Sequence, residues 1–239
     1  MLKLLAEYKY KIELHAHTHP TSKCSSVGPA QMVSLMKEHG YDGVVITNHF
    51  LVGNAGYYNT DDPVTAFVEN FNEAKAEGEK QGIKVYFGAE YRFPENMSDY
   101  LVFGANEKLL RDTFWRTDLG LEKFYKEFHN DDMLILQAHP FREGDEVADI
   151  LFLDGLEIMN MSPDNKNRAG MSAKFARDNN ISVVTVGTDL HHADRGHAGI
   201  CALRTKILPA DEKELVEILK SGDYIFEIGG YPMLPNVKL

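Results

Sequence analysis

Residues 10–17 read Tyr-Lys-Ile-Glu-Leu-His-Ala-His, a short run in which apolar and polar residues alternate and which ends in two histidines. A run of this kind is typical of a β-strand, so we predict a first strand over residues 10–14. Alternate residues of a strand face the same side, and His15 and His17 can therefore point into one site. The segment thus predicts a strand that carries two imidazoles at its carboxyl end.

Outward from this segment, apolar runs alternate with helical patterns to the end of the chain. Further strands are predicted at 43–47, 83–89, 100–103, 133–137, 155–158, 182–186 and 224–228. Helices are predicted at 29–39, 63–80, 119–128, 168–178 and 211–220. Seven or eight strands separated mostly by helices are what a closed (β/α) barrel requires, and such barrels place their chemistry where strands end and loops begin. No repeat or linker interrupts the alternation, so we expect one α/β domain over residues 1–239.

The composition is that of an ordinary globular chain. Its 239 residues are 44% hydrophobic and 26% charged, which argues against a disordered, collagenous or coiled-coil protein. The two cysteines, Cys24 and Cys201, are too few for a disulfide framework and suit a reducing cytoplasm. A net charge of -11 without a basic run argues against nucleic-acid binding, except to a short nucleotide substrate. No apolar stretch approaches the roughly 20 residues of a membrane helix, so we expect a cytoplasmic protein without a membrane partner.

Metal-binding residue types recur at the ends of the other predicted strands. These ends read Thr47-Asn48-His49, Gly88-Ala89-Glu90, Ala138-His139-Pro140 and Gly187-Thr188-Asp189-Leu190-His191, and Glu157 lies near the end of another strand. Imidazole and carboxylate ligands, with thiolate nearly absent, favour Zn, Mn or Fe in a reactive site. Glu90 could bridge two ions about 3.5 to 4 Å apart, the spacing that serves displacement at phosphorus. The strand ends together predict a multinuclear metal site.

This ordered set of motifs resembles the PHP (polymerase and histidinol phosphatase) family of metal-dependent phosphoesterases over nearly the whole chain. The resemblance implies a distorted (β/α)7-8 TIM-like barrel that holds two to three divalent transition-metal ions (Zn, Mn or Fe). It also implies one ion on His15, His17, Glu90 and Asp189, a second on Glu90 and His139, and a third on His49 and His191.

Three departures from the family pattern concern mainly the third ion. Asn48 stands where the family usually has Asp, which removes a charge from the site. A further ligand usually follows the first two histidines, and here Cys24 is the candidate, with His19 as its rival. The family's extra histidine after the bridging glutamate is replaced by a segment whose only candidate ligand is Asp99.

The function we predict is hydrolysis of a small phosphate monoester. A metal-bound hydroxide attacks phosphorus in line, and the ions provide the positive field that an acidic chain lacks. Asp189 or His191 handles the proton. Arg92, Arg142 and His197 are the candidates for contact with the substrate phosphate, and for each arginine an ordinary salt bridge is the alternative.

Three other functions are consistent with parts of this pattern. A phosphodiesterase or exonuclease acting on small nucleotides could use the same metal core with a longer groove. A metal-binding barrel without catalysis is suggested by Asn48. An amidohydrolase barrel also opens with two alternate histidines, but it expects a metal-bridging lysine at the middle strand, where this chain has Glu90.

Overall fold

The computed structural model describes residues 2–145, 147–163 and 168–235 of the chain. Its strands are β1 (Tyr10–Ala16), β2 (Gly43–Ile46), β3 (His49–Leu51), β4 (Lys84–Arg92), β5 (Asp99–Phe103), β6 (Leu134–Gln137), β7 (Gly155–Asn160), β8 (Val183–Gly187), β9 (Cys201–Thr205), β10 (Ile225–Ile228) and β11 (Tyr231–Met233). Its α-helices are α1 (Leu2–Glu7), α2 (Pro29–Glu38), α3 (Ala55–Tyr58), α4 (Pro63–Gln81), α5 (Glu107–Thr113), α6 (Leu121–Phe128), α7 (Ala169–Asp178) and α8 (Glu212–Ser221). Two short 3-10 helices, Ile150–Phe152 and Ala193–Arg195, complete the elements. Each described helix is too short or too polar to cross a membrane.

The strands form a mixed sheet in the order β11-β10-β9-β1-β2-β4-β5-β6-β7-β8, with β3 paired to β4 off this path. Strands β1, β2 and β4 are parallel, as are β6, β7 and β8, but β5 runs antiparallel to both of its neighbours. The closed (β/α) barrel predicted from the sequence has parallel strands throughout. A parallel connection needs a dozen or more residues, and only residues 93–98 join β4 to β5, so β5 must return antiparallel.

The sheet curls until its far strand approaches β1. A parallel bridge links Ala16 to Leu190, just beyond β8, and the His17 amide donates to the Leu190 carbonyl at 3.1 Å. The chain therefore has an α/β fold with a curled half-barrel sheet. This curl brings the carboxyl ends of β1 and β8 together.

Strand β1 separates the apolar core from a polar interior. Ile12 and Leu14 pack in an apolar cluster that also contains residues of α7 and α8. Glu13 and His15 alternate with them and are also fully buried. The pleat of the strand therefore directs its polar residues to the opposite face from the helices.

Helix boundaries follow from local capping. The Asp62 side chain accepts from the Thr65 amide at 3.0 Å and caps α4, which ends at Gly82 in the left-handed region (φ +71°). The sequence analysis did not predict strands β3, β9 and β11 or helices α1, α3 and α5, and of these strands β9 pairs antiparallel with β1. The predicted strands and helices otherwise agree with the observed elements to within a few residues at each end.

Candidate metal centre

The seven predicted ligands converge at one end of the curled sheet. They come from β1 and the residue after it, the start of β3, the interior of β4, and the loops after β6 and β8: His15, His17, His49, Glu90, His139, Asp189 and His191. Two of them, His139 (φ +29°) and Asp189 (φ +52°), have left-handed backbone conformations. Strain of this kind in non-glycine residues is concentrated at functional sites in proteins.

The Glu90 carboxylate lies at the centre of the cluster and is 1% exposed. Its Oε1 is 3.2 Å from Nε2 of His15 and 3.2 Å from Nε2 of His139. Its Oε2 is 2.6 Å from Nδ1 of His49 and 3.5 Å from Nε2 of His17. Carboxylate and imidazole donors that converge in this way suit divalent transition metals.

A second convergence joins the two histidines of β1 to the loop after β8. Nε2 of His15 and Nε2 of His17 are 3.0 Å apart, and Asp189 Oδ1 lies 3.4 Å from the first and 3.2 Å from the second. Ligand atoms lie within 4.8 Å of one another in three groups: His15/His17/Asp189, His17/His49/His191 and His49/Glu90/Asp99. His17 is shared by two of these groups.

Two buried polar atoms of this cluster have no hydrogen-bond partner among the described residues. Nδ1 of His49 and Oε2 of Glu90 are buried and close, yet neither makes a hydrogen bond to another described residue. Buried polar atoms in native proteins nearly always have a partner. A divalent cation bound by imidazole nitrogens and carboxylate oxygens is a partner that fits this donor set.

Charges in the metal-free cluster are balanced by protons on histidine. Burial opposes protonation of His49, but the Glu90 carboxylate outweighs it and raises the pKa of His49 to about 10. Burial likewise opposes the charged form of His139, but bonds to Asp145 and Glu90 raise its pKa to about 9. For His17, burial and the neighbouring His191 and His49 hold the pKa well below its usual range. Cation binding must displace the protons on His49 and His139, so metal affinity should fall as the pH is lowered.

Cys24, not its rival His19, is at the site. Cys24 lines the cleft beside His49 and His191, whereas His19 is exposed. Burial disfavours the thiolate, but hydrogen bonds from His191 and His49 overcome this effect and lower the pKa of Cys24 to about 6. The thiolate, which is the form that binds metal, is therefore accessible near neutral pH.

Asp99 is fully buried and is held by two arginines. Its oxygens accept from Nε and Nη2 of Arg92, both at 2.7 Å, and from Nη2 of Arg142 at 3.2 Å. Arg142 also pairs with Asp145 at 3.0 Å. Although Asp99 lies near His49 and Glu90, these charged hydrogen bonds engage both of its oxygens. Asp99 therefore pairs with two guanidinium groups at the edge of the metal cluster, and its role as a ligand stays a prediction.

Asn48 belongs to a buried amide and hydroxyl network beside the ligands. Its Oδ1 accepts from the Thr18 amide at 2.6 Å and from Ser22 Oγ at 3.0 Å, and its Nδ2 donates to Asn70 at 2.8 Å. Ser22 Oγ is in turn 3.1 Å from Nδ1 of His17. An aspartate at this position could not donate a hydrogen bond to Asn70, so this contact requires the side-chain amide of Asn48.

An open cleft of about 240 Å³ gives access to the cluster. Its walls are formed by Cys24, His49, Glu90, Arg92, His139, Arg142, Ser162, Asp189, His191 and His192. His197 is 5% exposed and lies outside these walls, and neither ring nitrogen has a hydrogen-bond partner among the described residues. Its contact with a phosphate stays a prediction.

Sequence reasoning missed one buried carboxylate below the ligands. Glu13 is fully buried and accepts from the backbone amides of His15 at 2.8 Å and Thr188 at 3.0 Å. Burial raises its pKa to about 7 despite these two bonds. The sequence signal for Glu13 was its position two residues before His15, on the same face of the strand.

Gly187 is required by the close approach of β8 to β1. A Cβ at this position would lie 2.4 Å from Cβ of His15 and 2.6 Å from Oε1 of Glu157. We expect Gly187→Ala to displace His15, to lower the free energy of unfolding by about 1–3 kcal/mol through overpacking, and to weaken zinc binding. Denaturant unfolding and zinc titration check both effects.

The matched control is Gly170→Ala in α7, where a Cβ would meet nothing within 4 Å. This exposed helical change should leave zinc affinity unchanged and stability equal or slightly higher, because alanine favours helix. If Gly187→Ala binds zinc as tightly as wild type, the close packing of β8 against His15 does not affect the binding of a cation by His15.

Two solved structures with a similar fold are described as containing predicted metal-dependent phosphoesterases. A two-domain protein from Bacteroides vulgatus, described as containing a predicted PHP-like metal-dependent phosphoesterase, superposes with a TM-score of 0.65 and 14% identity over 92% of this chain and 64% of its own. A protein from Bifidobacterium adolescentis, assigned by inference as a metal-dependent phosphoesterase, gives a TM-score of 0.50 and 15% identity over 77% of this chain and 89% of its own. At these identities the likeness establishes a shared fold. The resemblance seen in the motifs is thus confirmed at the level of the fold.

Sequence comparison adds a distant relative. The chain is 27% identical over 147 residues to a PolC-type DNA polymerase III from Oceanobacillus iheyensis. The match covers 60% of this chain and 9% of the polymerase. No protein-family model matches the chain.

Proposed function

We propose that this chain is a metal-dependent phosphoesterase that hydrolyses small phosphate monoesters. The observation that carries the proposal is the Glu90 carboxylate, which has imidazoles at 2.6 to 3.5 Å on both of its oxygens. Such a carboxylate suits two or three divalent transition-metal ions. When bound, the ions lower the pKa of a water and stabilise negative charge on the phosphoryl oxygens.

The ligands divide into three groups in this proposal. His15, His17, Glu90 and Asp189 hold one ion, and Glu90 and His139 hold a second. We assign His49 and His191 to a third, and the Cys24 thiolate completes this group in place of the family's usual ligand. Asp189 and His191 are the groups that move the proton, since Nδ1 of His191 lies 3.2 Å from Asp189 Oδ1.

Two guanidinium groups provide the substrate contact. Arg92 and Arg142 both line the cleft, and their side chains are each 25% exposed although both contact Asp99. Exposed donors remain available to phosphoryl oxygens, for which the planar guanidinium is well suited. A monoester carries more negative charge than a diester, so the arginine pair and the metals together favour the monoester.

A phosphodiesterase or exonuclease acting on short nucleotides is the second candidate, favoured by the similarity to a PolC-type DNA polymerase. A cleft of about 240 Å³ accommodates a small substrate and not a long strand. The net charge of -11 also opposes binding of a polynucleotide backbone.

We extend the proposal to the fold, the domain organisation and the cellular location of the chain. We infer that the curled sheet is a distorted (β/α) barrel, that residues 1–239 form one domain, and that the protein works in the cytoplasm. The small number of cysteines and the reactive Cys24 thiol favour a reducing compartment.

A substrate panel tests the proposal. Phosphomonoesters and phosphodiesters are assayed in parallel with Mn, Zn and Fe added separately, and we expect turnover of monoesters such as p-nitrophenyl phosphate to exceed turnover of the matched bis-ester. Preference for the bis-ester would favour the diesterase. Zinc binding without turnover of any ester would favour a metal-binding barrel without catalysis.

A further inference from the structure

A buried carboxylate that the proposed metal chemistry does not use lies behind the cluster. Glu157 is 1% exposed and makes three polar contacts. Its Oε1 is 2.9 Å from Nδ1 of His15, while its Oε2 accepts from the backbone amide of His139 and from Nδ2 of Asn160, each at 2.9 Å. This side chain from β7 thus contacts two predicted ligands that lie on two other segments.

A bulge in β7 brings Asn160 to the same side as Glu157. In a regular strand, residues three apart face opposite sides. The register between β7 and β8 shifts between Glu157 and Met159, and an extra residue of this kind re-aims the side chains that follow it. Asn160 can therefore contact Glu157 and also donate from Nδ2 to Asp189 Oδ2 at 3.2 Å.

The Glu157–Asn160 pair contacts both ligands whose backbones are left-handed. His139 (φ +29°) donates its amide to Glu157, and Asp189 (φ +52°) accepts from Asn160. A strained backbone persists only where surrounding contacts hold it. The pair supplies such contacts at both positions.

We propose that Glu157 and Asn160 are positioning residues that set the tautomer of His15 and hold His139 and Asp189 in their ligating conformations. The inference rests on the proposed metal centre. A proton on Nδ1 of His15, donated to Glu157, leaves Nε2 with its lone pair directed at Glu90 and Asp189. Outer partners of this type typically fix the ring orientation and basicity of a ligating histidine.

Glu157→Gln is the sharpest test because glutamine keeps the shape and has one acceptor. The Oε2 position faces two donors, His139 N and Asn160 Nδ2, so the amide oxygen takes that side. The amide NH₂ then faces Nδ1 of His15 and forces that nitrogen to accept. The proton moves to Nε2 of His15, which can no longer bind a cation.

The experiment measures zinc affinity of the full chain by chelator competition, alongside thermal unfolding of the metal-free protein. We expect zinc to bind Glu157→Gln about 10- to 100-fold more weakly than wild type. Long-range ¹⁵N–¹H NMR of the histidine rings in the zinc-loaded protein should show the Nδ1–H tautomer of His15 in wild type and its loss in the variant. A merely structural role for Glu157 would lower stability without moving this tautomer.

Asp154→Asn is the matched control. Asp154 contacts Nε2 of His129 at 3.1 Å and accepts from the Ile135 amide at 2.7 Å, just before the opposite end of β7. The same change from carboxylate to amide beside a histidine should leave zinc affinity at the wild-type value.

Asn160→Leu is a second variant, which tests the positioning role if Glu157→Gln fails to fold. It removes both donated bonds at similar volume, so we expect weaker zinc binding. Wild-type zinc affinity with an unchanged His15 tautomer in the folded variants would overturn the positioning role. Failure of the wild-type protein itself to bind zinc would instead overturn the proposed metal centre.

Discussion

Exhaustive chelation should abolish hydrolysis of p-nitrophenyl phosphate, and added Mn or Zn should restore it. The two arginines that line the cleft are already paired with the buried Asp99, so hydrolysis should depend on bound ions to neutralise the phosphoryl oxygens. They must also lower the pKa of the attacking water toward neutrality. Initial rates before chelation, after chelation and after metal addition measure the effect.

Metal content of the same preparation is the control. The convergence of His15, His17, Glu90, His139 and Asp189 provides ligands for two ions, so protein purified without chelators should contain at least two transition-metal ions per chain. Activity that survives chelation would exclude the proposed activation of water. One ion or none at full occupancy would exclude a binuclear centre.

His17→Ala should lower turnover by roughly 100-fold to several thousand-fold, which corresponds to about 3 to 5 kcal/mol on the barrier. Nε2 of His17 lies beside Nε2 of His15 and Oδ1 of Asp189, so its loss removes a ligand of the first candidate ion. Its ring lies among His15, His49 and His191, with centroids 4.2 to 5.0 Å away. Truncation therefore leaves a polar space that water can enter, and folding should be preserved. Steady-state kinetics and metal analysis measure the two consequences.

His39→Ala is the control for this substitution. His39 is exposed at the carboxyl end of α2, outside every ligand group, and its removal should leave turnover nearly unchanged. Equal activity in the two variants, with full metal content in His17→Ala, would show that His17 is structural.

Local pattern was sufficient to predict most of the elements. Strand β1 and helix α4 have alternating or helical apolar spacing, and α4 also has Asp62 and Gly82 at its ends. Strand β9 was missed because it is placed by pairing with β1 and β10, a relation between strands that no local pattern encodes. The direction of β5 was likewise decided by the short connection that precedes it.

The sequence alone determined the chemistry of the candidate centre. The order of histidines and carboxylates along the strands predicts which side chains are ligand candidates, because strand alternation is a local property. Their distances depend on strand register and on the curl that joins Ala16 to Leu190. The sequence could not tell that Asp99 pairs with two arginines.

The roles of Glu157 and Asn160 were decided only by the tertiary structure. Their contacts join side chains distant along the chain, to His15 on one side and Asp189 on the other. A bulge sets these contacts, and a bulge depends on how β7 pairs with β8. The spacing of residues along the sequence describes one strand at a time. A metal centre depends on the register among several strands, and packing of the whole sheet sets that register.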